Sequence, residues 1–219
     1  MSFPLDALNG ALDRLGRHAF YEGRLPPSVS DAAEFAANVP LMGRADLVAE
    51  MQKPAYGAFG GTQPVRMNFS PMGGGLVPVM QTRRDLDRLI GAARTHLDAC
   101  GVEPGDVCAV FFGYHLFVAG LFYQSQMEAH GVACIPLGPG EADRAVEICN
   151  AHNVNILAGN PSFSLRLMEA GVKPPKVFFA GGEAFTGNPT LYNAVADAMP
   201  GTMLVDSFSL SEFLPVGRT

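Results

Sequence analysis

The sequence from 107 to 112 is Val-Cys-Ala-Val-Phe-Phe, a continuous apolar run. A strand that is buried on both faces of a sheet has such a run, without the polar alternation of a half-exposed strand. Shorter strands, each built around apolar residues, are predicted at 133–137, 155–158, 176–180 and 202–206. Because segments with helical periodicity separate these strands, we predict an α/β fold. Its mainly parallel sheet is flanked by helices and linked by right-handed crossovers.

Helices are predicted between the strands, at 116–129, 141–152, 161–170 and 189–198. The clearest helix precedes them, at 83–100. Thr82 and Asp85 match a capping box with Asp in place of Glu. Apolar residues then repeat at i, i+3, i+4 and i+7, which places one apolar stripe on the core.

Three consecutive glycines lie within the stretch 68–79, between two short segments of strand character. A glycine-rich loop can bind phosphate oxygens through inward-turned backbone N–H groups. It can also be a plain hairpin turn, and the spacing alone favours this second interpretation. No Gly-Lys-Ser/Thr follows, so this is not a Walker A loop.

The composition limits the classes of partner. The chain has 219 residues, a net charge of −6 and 16% charged residues. This acidic balance argues against nucleic acid or an anionic membrane as partner, because no basic stripe is present to release counterions. No apolar run approaches the roughly 20 residues that span a bilayer. The four cysteines are scattered without metal-binding spacing, so we expect reduced thiols in a cytoplasmic protein.

The chain is predicted to have two parts. Residues 1–64 carry helical patterns and Gly- and Pro-rich loops but no convincing strand, so we expect a helical, loop-rich segment. Residues 65–219 contain the hairpin and all the alternating strands and helices, and form the predicted α/β domain.

Ligands of open parallel sheets bind at the carboxyl ends of the strands. Three polar or glycine-rich stretches follow predicted strands, at 113–120, 181–186 and 206–212. Taken singly, each has an ordinary structural explanation as packing, a turn or a helix start. Their common location at one edge of the sheet predicts a ligand site there.

Five stretches, in this order, resemble motifs of the phenylacetate–coenzyme A ligase family, a branch of the acyl-adenylate-forming enzymes. They are Thr82–Asp87, Gly101–Asp106, Gly113–Gly120, Gly181–Thr186 and Asp206–Glu212. The last, Asp-Ser-Phe-Ser-Leu-Ser-Glu, is similar to the family's Asp-x-Tyr-Gly-Leu-Ser-Glu. The resemblance begins near Phe20 and implies an AMP-binding domain that is part of the large N-terminal domain of such an enzyme. The family's C-terminal half and lid domain have no counterpart within 219 residues, so we expect either a fragment of a longer enzyme, which we favour, or a stand-alone remnant.

The resemblance implies ATP-dependent activation of an aryl carboxylic acid, through an acyl-adenylate, to its coenzyme A thioester. ATP, Mg²⁺ and coenzyme A would be cosubstrates. The implied nucleotide-binding residues are Ser70, Gly73, Gly74, Gly75, Gly181, Gly182, Glu183 and Asp206. The implied catalytic residues are Ser211, as a donor to the α-phosphate, and Glu212, as the ligand of Mg²⁺. The implied wall of the acid pocket is Tyr114, His115, Phe117 and Phe122.

The phosphate loop departs from the family pattern. Residues 69–76 lack two threonines and a lysine, and Pro71 lacks a backbone donor. Two alternatives therefore stay open: a non-catalytic module that binds a nucleotide or acyl group, and an adenylate-forming enzyme with another acid or acceptor. A free sheet edge also leaves a homodimer open.

Overall fold

The computed structural model describes residues 3–72, 75–140, 142–211 and 213–218. The chain divides into two compact units, one of Met1–Gln63 with Pro71–Pro78 and the other of Pro64–Ser70 with Val79–Thr219. The predicted domain boundary after residue 64 stays a prediction. The first unit contains α1 (Leu5–Gly16), α2 (Ala32–Asn38), α3 (Arg44–Met51) and a 3-10 helix, Pro54–Phe59. The Asp31 side chain caps α2 by accepting from the Glu34 N–H, which satisfies one of the donors that a helix start leaves unpaired.

A two-stranded sheet follows, formed by β1 (Arg66–Met72) and β2 (Gly75–Gln81). One backbone hydrogen bond and two from a side-chain amide hold the middle of β1 against a loop later in the chain. The Phe69 N–H donates to the Leu116 carbonyl at 2.8 Å. The Asn68 amide donates to the carbonyls of Leu116 and Phe117 at 3.2 and 3.1 Å. Asn68 and Phe69 are thus tied to the loop between 113 and 118.

The central sheet has six strands in the order β4-β3-β5-β6-β7-β8, and its first five strands are parallel. The strands are β3 (Val107–Val110), β4 (Ala133–Pro136), β5 (Ile156–Gly159), β6 (Val177–Ala180), β7 (Met203–Leu210) and β8 (Phe213–Arg218). The helices are α4 (Arg83–Ala99), α5 (Ala119–Ala129), α6 (Ala142–Ala151), α7 (Pro161–Glu169) and α8 (Pro189–Ala198). The predicted α/β fold is confirmed.

Successive residues of a strand pack into two apolar cores on opposite faces of the sheet, because their side chains point alternately to one face and the other. Cys108, Val110 and Phe112 join α4 and α5 in one core. Ala109 and Phe111 join α6, α7 and α8 in the other. This two-sided burial explains the continuous apolar runs in the sequence. Among the described residues, no helix has the length and apolarity needed to cross a membrane.

The sheet differs from expectation at its far edge. β7 continues to Leu210 instead of ending at residue 206, and β8 pairs with it in antiparallel orientation. The strand prediction stopped early because polar residues follow Asp206, although they alternate with Phe208 and Leu210 in a strand period. β8 contains Pro215 and Gly217, which are poor strand formers.

The α4 N-terminus shows the predicted capping box. Thr82 Oγ1 accepts from the Asp85 N–H at 3.2 Å, and the Asp85 carboxylate accepts from the Thr82 N–H at 2.9 Å. α5 instead begins three residues later than predicted. Leu116 lies at φ +62°, outside the right-handed helical region.

An ion pair between a buried carboxylate and a half-buried lysine joins the start of β3 to the start of β6. The Asp106 carboxylate accepts from Lys176 Nζ at 2.6 Å, from the Asn155 amide at 2.8 Å and from the Glu103 N–H at 2.7 Å. Burial opposes the charged form. The contacts with Lys176, the Glu103 N–H and Asn155 outweigh it and lower the pKa of Asp106 below its ordinary value.

Replacement Asp106→Asn should lower the free energy of unfolding at pH 7 by about 1.5 kcal/mol, because charge-assisted hydrogen bonds are lost. A carboxylate whose pKa is lowered in the folded state stabilises the protein when the pH is above its pKa in the unfolded state, about 3.9. This stabilisation is lost as the pH falls through its pKa in the folded state. Urea unfolding at several pH values measures this difference. The exposed Asp197→Asn should change stability by less than about 0.5 kcal/mol. If the difference in the free energy of unfolding between wild type and Asp106→Asn stayed constant down to acidic pH, a stabilising role of the ionised Asp106 carboxylate would be contradicted.

Candidate functional site

A cavity of about 200 Å³ lies at the carboxyl edge of the sheet, beside the ends of β3, β6 and β7. Its lining combines three phenylalanines, other apolar groups, the Gly181–Gly182 backbone and three serines. The lining residues are Phe112, Phe117, Val118, Ala119, Phe122, Tyr123, Gly181, Gly182, Ser207, Ser209 and Ser211. Members of all three stretches expected at this edge therefore meet in one cavity.

The four residues predicted to contact the acid separate into two groups. Phe117 and Phe122 line the cavity, whereas Tyr114 and His115 are not part of its lining. Tyr114 packs against the core on the α4–α5 face, and its hydroxyl is buried without a hydrogen-bond partner among the described residues. Burial raises the pKa of Tyr114. The side chain of His115 is exposed.

The Gly181–Gly182 loop is held from the neighbouring strand. Asn160 directly follows β5, and its side-chain amide donates to the Gly181 carbonyl at 3.2 Å. Gly182 has φ +84°, and a Cβ atom there would lie 2.5 Å from Asn160 Nδ2. A Cβ at Gly181 would lie 3.5 Å from Phe112 and from the Ser207 carbonyl. A side chain at 182 would be strained by the positive φ and would displace the Asn160 amide, and the backbone of both residues borders the cavity.

Glu183, predicted to bind nucleotide, makes contacts within the protein. Its carboxylate accepts from the Ser162 N–H at 2.7 Å and from Ser162 Oγ at 2.6 Å. Ser162 is in the first turn of α7, where the N–H groups have no partner within the helix. The negative charge is also favourable there, since the N-terminus carries the positive end of the helix dipole. Glu183 therefore fixes the loop after β6 to α7.

Asp206 holds the same loop from the other side. Its Oδ2 accepts from the Thr186 N–H at 3.0 Å and from Thr186 Oγ1 at 2.6 Å. Both contacts use one oxygen, and among the described residues no hydrogen bond reaches Oδ1. A carboxylate has about four acceptor positions, so Asp206 can accept a further donor.

Ser70 and Ser211 are brought together, although 141 residues separate them in the sequence. Their hydroxyl oxygens are 3.1 Å apart, and Ser70 is only 4% exposed. Gly75 lies exposed at the start of β2, and nothing lies within 4 Å of a Cβ placed there. Three other predicted residues, Gly73, Gly74 and Glu212, lie outside the described residues.

Sequence reasoning missed three polar residues of this site. They are Asn160, whose side-chain amide anchors the glycine loop together with the predicted Glu183, and Tyr123 and Ser207, which are joined beside the cavity by a hydrogen bond of 2.8 Å from the Tyr123 hydroxyl to Ser207 Oγ. One signal was present: Ser207, Ser209 and Ser211 recur at every second position, the spacing of one strand face. Within the described ranges, no group of three or more His, Cys, Asp or Glu residues is arranged to hold a metal ion.

No protein-family model matches the chain. Curated relatives do: a phenylacetate–coenzyme A ligase of Pseudomonas putida is 26% identical over 214 residues, which cover 93% of this chain and 47% of the relative. The phenylacetate–coenzyme A ligase of Aromatoleum evansii is 26% identical over 144 residues, covering 62% of this chain and 32% of the relative. The predicted resemblance is confirmed, and the chain spans about half the length, or less, of these relatives.

A solved structure shares the fold. An open conformation of 2-hydroxyisobutyryl-CoA ligase, in complex with 2-HIB-AMP and CoA, superposes with a TM-score of 0.85 at 20% identity. The match covers 94% of this chain and 53% of that one. Apo MatB from Rhodopseudomonas palustris is more distant, with a TM-score of 0.53 at 13% identity over 70% of this chain. These likenesses confirm the α/β fold.

Proposed function

We propose that this chain supplies the nucleotide- and acid-binding part of an enzyme that activates an aryl carboxylic acid with ATP and transfers the acyl group to coenzyme A. One observation carries the proposal: the cavity and the Gly181–Gly182 loop share a wall at the carboxyl edge of the sheet. An acid in the cavity and a nucleotide on the loop would lie next to each other. The names of the curated relatives favour the same chemistry.

The cavity suits the ring of an aryl acid. Phe112, Phe117 and Phe122 supply aromatic wall, and pockets for small molecules are mostly apolar with few polar groups that orient the ligand. A dry apolar cavity of about 150 Å³ is large enough for benzene. A cavity of about 200 Å³ is therefore large enough to hold one aromatic ring.

The glycine loop suits a nucleotide. With no side chain at 181 or 182, a flat base can approach the backbone closely. Asp206 Oδ1 would accept from an exocyclic amine such as that of adenine. Ser211 lines the cavity, and its hydroxyl would donate to a phosphate oxygen in place of its hydrogen bond to Ser70 Oγ. Mg²⁺, when bound, would withdraw charge from the phosphates, and Glu212 is the residue proposed to hold it.

In the first step, a carboxylate oxygen of the acid forms a bond to the α-phosphorus of ATP. The bond to the bridging oxygen breaks, and pyrophosphate leaves with its electron pair. In the second step, the thiol of coenzyme A loses its proton and bonds to the acyl carbon, and AMP departs. The residues described above would bind and orient the partners of the first step.

We expect pyrophosphate release that depends on an aryl acid when the complete product of the gene is assayed with ATP and Mg²⁺. Asp206→Ala should raise the KM for ATP about tenfold, because a hydrogen bond to a charged group contributes about 1.5 kcal/mol or more. The exposed Asp197→Ala, on α8, should leave the KM unchanged. A folded protein that releases no pyrophosphate with any of a panel of aryl acids would contradict the proposal.

One observation favours a second candidate, a module that binds an acyl-adenylate or acid without ATP chemistry. Ser70 stands at the phosphate-loop position, yet its buried hydroxyl pairs with Ser211. Two hydroxyls satisfying each other are less available to phosphate. Calorimetric titration with ATP and Mg²⁺ separates the candidates: clear binding favours the enzyme, and binding of AMP without ATP favours the module.

A further inference from the structure

The wall of the cavity contains one polar pair among its aromatic groups. Ser207 of β7 and Tyr123 of α5 both line the cavity, and the Tyr123 hydroxyl donates to Ser207 Oγ at 2.8 Å. Tyr123 is 4% exposed. A polar contact of this kind in a mostly apolar cavity orients a ligand and decides between ligands that differ in one polar group.

The ring of Tyr123 is held in place on two sides. It stacks on Phe112, with ring centroids 5.1 Å apart and planes inclined by 14°, and meets Phe122 edge-on at 5.6 Å. Its hydroxyl therefore has little freedom, and the hydrogen bond to Ser207 fixes the direction of the serine. Tyr123 acts through Ser207 and is a positioning residue.

Ser207 keeps a donor for a ligand. A serine hydroxyl has one proton to donate and two lone pairs that accept. Accepting from Tyr123 uses a lone pair and leaves the proton, and no hydrogen bond within the described part of the chain uses it. An oxygen on a ring in the cavity would complete this arrangement.

The size of the cavity admits such an oxygen. A volume of about 150 Å³ suffices for an unsubstituted ring. The volume of this cavity is about 200 Å³, which leaves about 50 Å³ beside the ring. The remainder is enough for a hydroxyl group. A site built to hydrogen-bond a hydroxyl discriminates against the analogue that lacks it, because the polar group of the site is then left unpaired.

We propose that Ser207 selects aryl acids that carry a ring hydroxyl, by donating its proton to the oxygen of that substituent. This inference rests on the proposed function, because it places the acid in the cavity between α5 and β7. The chemical class is a single-ring hydroxyaryl carboxylic acid.

The test is calorimetric titration of the chain with phenylacetate and with its ortho, meta and para hydroxy derivatives. We expect one hydroxy isomer to bind about threefold to tenfold more tightly than phenylacetate, the range for one neutral hydrogen bond. Ser207→Ala should lower the affinity for that hydroxy isomer about threefold to tenfold more than it lowers the affinity for phenylacetate, and so remove the preference. Ser207→Thr, which keeps the hydroxyl, should retain the preference, and Tyr123→Phe should reduce it.

The outcomes separate the two proposals. If folded wild type binds aryl acids but prefers no hydroxy isomer, or if the preference survives in Ser207→Ala, this inference is overturned and the proposed function stands. If no aryl acid binds to the folded chain, the proposed function itself fails. A purely structural role for the Tyr123–Ser207 bond would lower the urea midpoint of both variants without altering the ratio of affinities, and this result also overturns the inference.

Discussion

Replacement of Gly182 by alanine should weaken ATP binding by tenfold to a hundredfold and lower stability by about 1–2 kcal/mol. Gly182 has φ +84° and faces the Asn160 amide, which would lie 2.5 Å from an added Cβ. A residue with a side chain pays about 1–2 kcal/mol in this left-handed region. The clash also displaces the Asn160 amide from the Gly181 carbonyl. The loop proposed to carry the base then loses its anchor.

A matched variant separates backbone strain from loss of the anchor. Gly201 has φ +79°, and nothing lies within 4 Å of a Cβ placed there. Gly201→Ala should therefore cost a similar amount of stability and leave ATP binding unchanged. Urea unfolding and calorimetry measure both quantities. Equal affinities for ATP in the two alanine variants would show that the Asn160–Gly182 contact has no role in nucleotide binding.

Replacement of Gly120 by alanine should lower the free energy of unfolding by about 3 kcal/mol, at the upper end for overpacking. Gly120 lies in the first turn of α5, where an added Cβ would lie 2.7 Å from the Gly113 carbonyl and 3.1 Å from that of Phe112. Backbone atoms cannot rotate away as a side chain does. Relief requires α5 to shift from the end of β3, and the cavity wall at Val118 and Ala119 shifts with it.

The control for this variant is Gly91→Ala in α4. Gly91 is exposed, and nothing lies within 4 Å of its added Cβ. Alanine has a higher helix propensity than glycine, so this variant should gain about 1 kcal/mol. The two Gly→Ala changes are thus expected to have opposite signs in the same urea experiment. A stabilised Gly120→Ala would contradict the close approach of α5 to β3.

The sequence predicts those elements whose signals are local. The capping box at Thr82 and the apolar stripe locate α4 to within one residue, because both operate within a few turns. The start of α5 depends on distant groups: the Leu116 carbonyl accepts from Phe69 and Asn68, which lie almost fifty residues earlier. Those hydrogen bonds hold the segment out of helical conformation, and no local pattern reveals them.

The candidate site also has features that the sequence predicts and others that depend on tertiary packing. Order along the chain and the rule for parallel sheets bring the stretches after β3, β6 and β7 to one edge. They do not determine where each side chain lies. Tyr114 packs into the core instead of lining the cavity, and Glu183 binds the start of α7. Both positions depend on which helix covers each strand end, a property of tertiary packing.

The central claim is that one site at the carboxyl edge of the sheet binds the adenylate and the acid together. The most direct test is calorimetric titration with a sulfamoyl analogue of phenylacetyl-adenylate, which joins both parts through a stable link. We predict that it binds more than about tenfold more tightly than AMP or phenylacetate alone, since linked groups occupy adjacent sites with a high effective concentration. A folded chain that binds the analogue no more tightly than AMP would contradict the account.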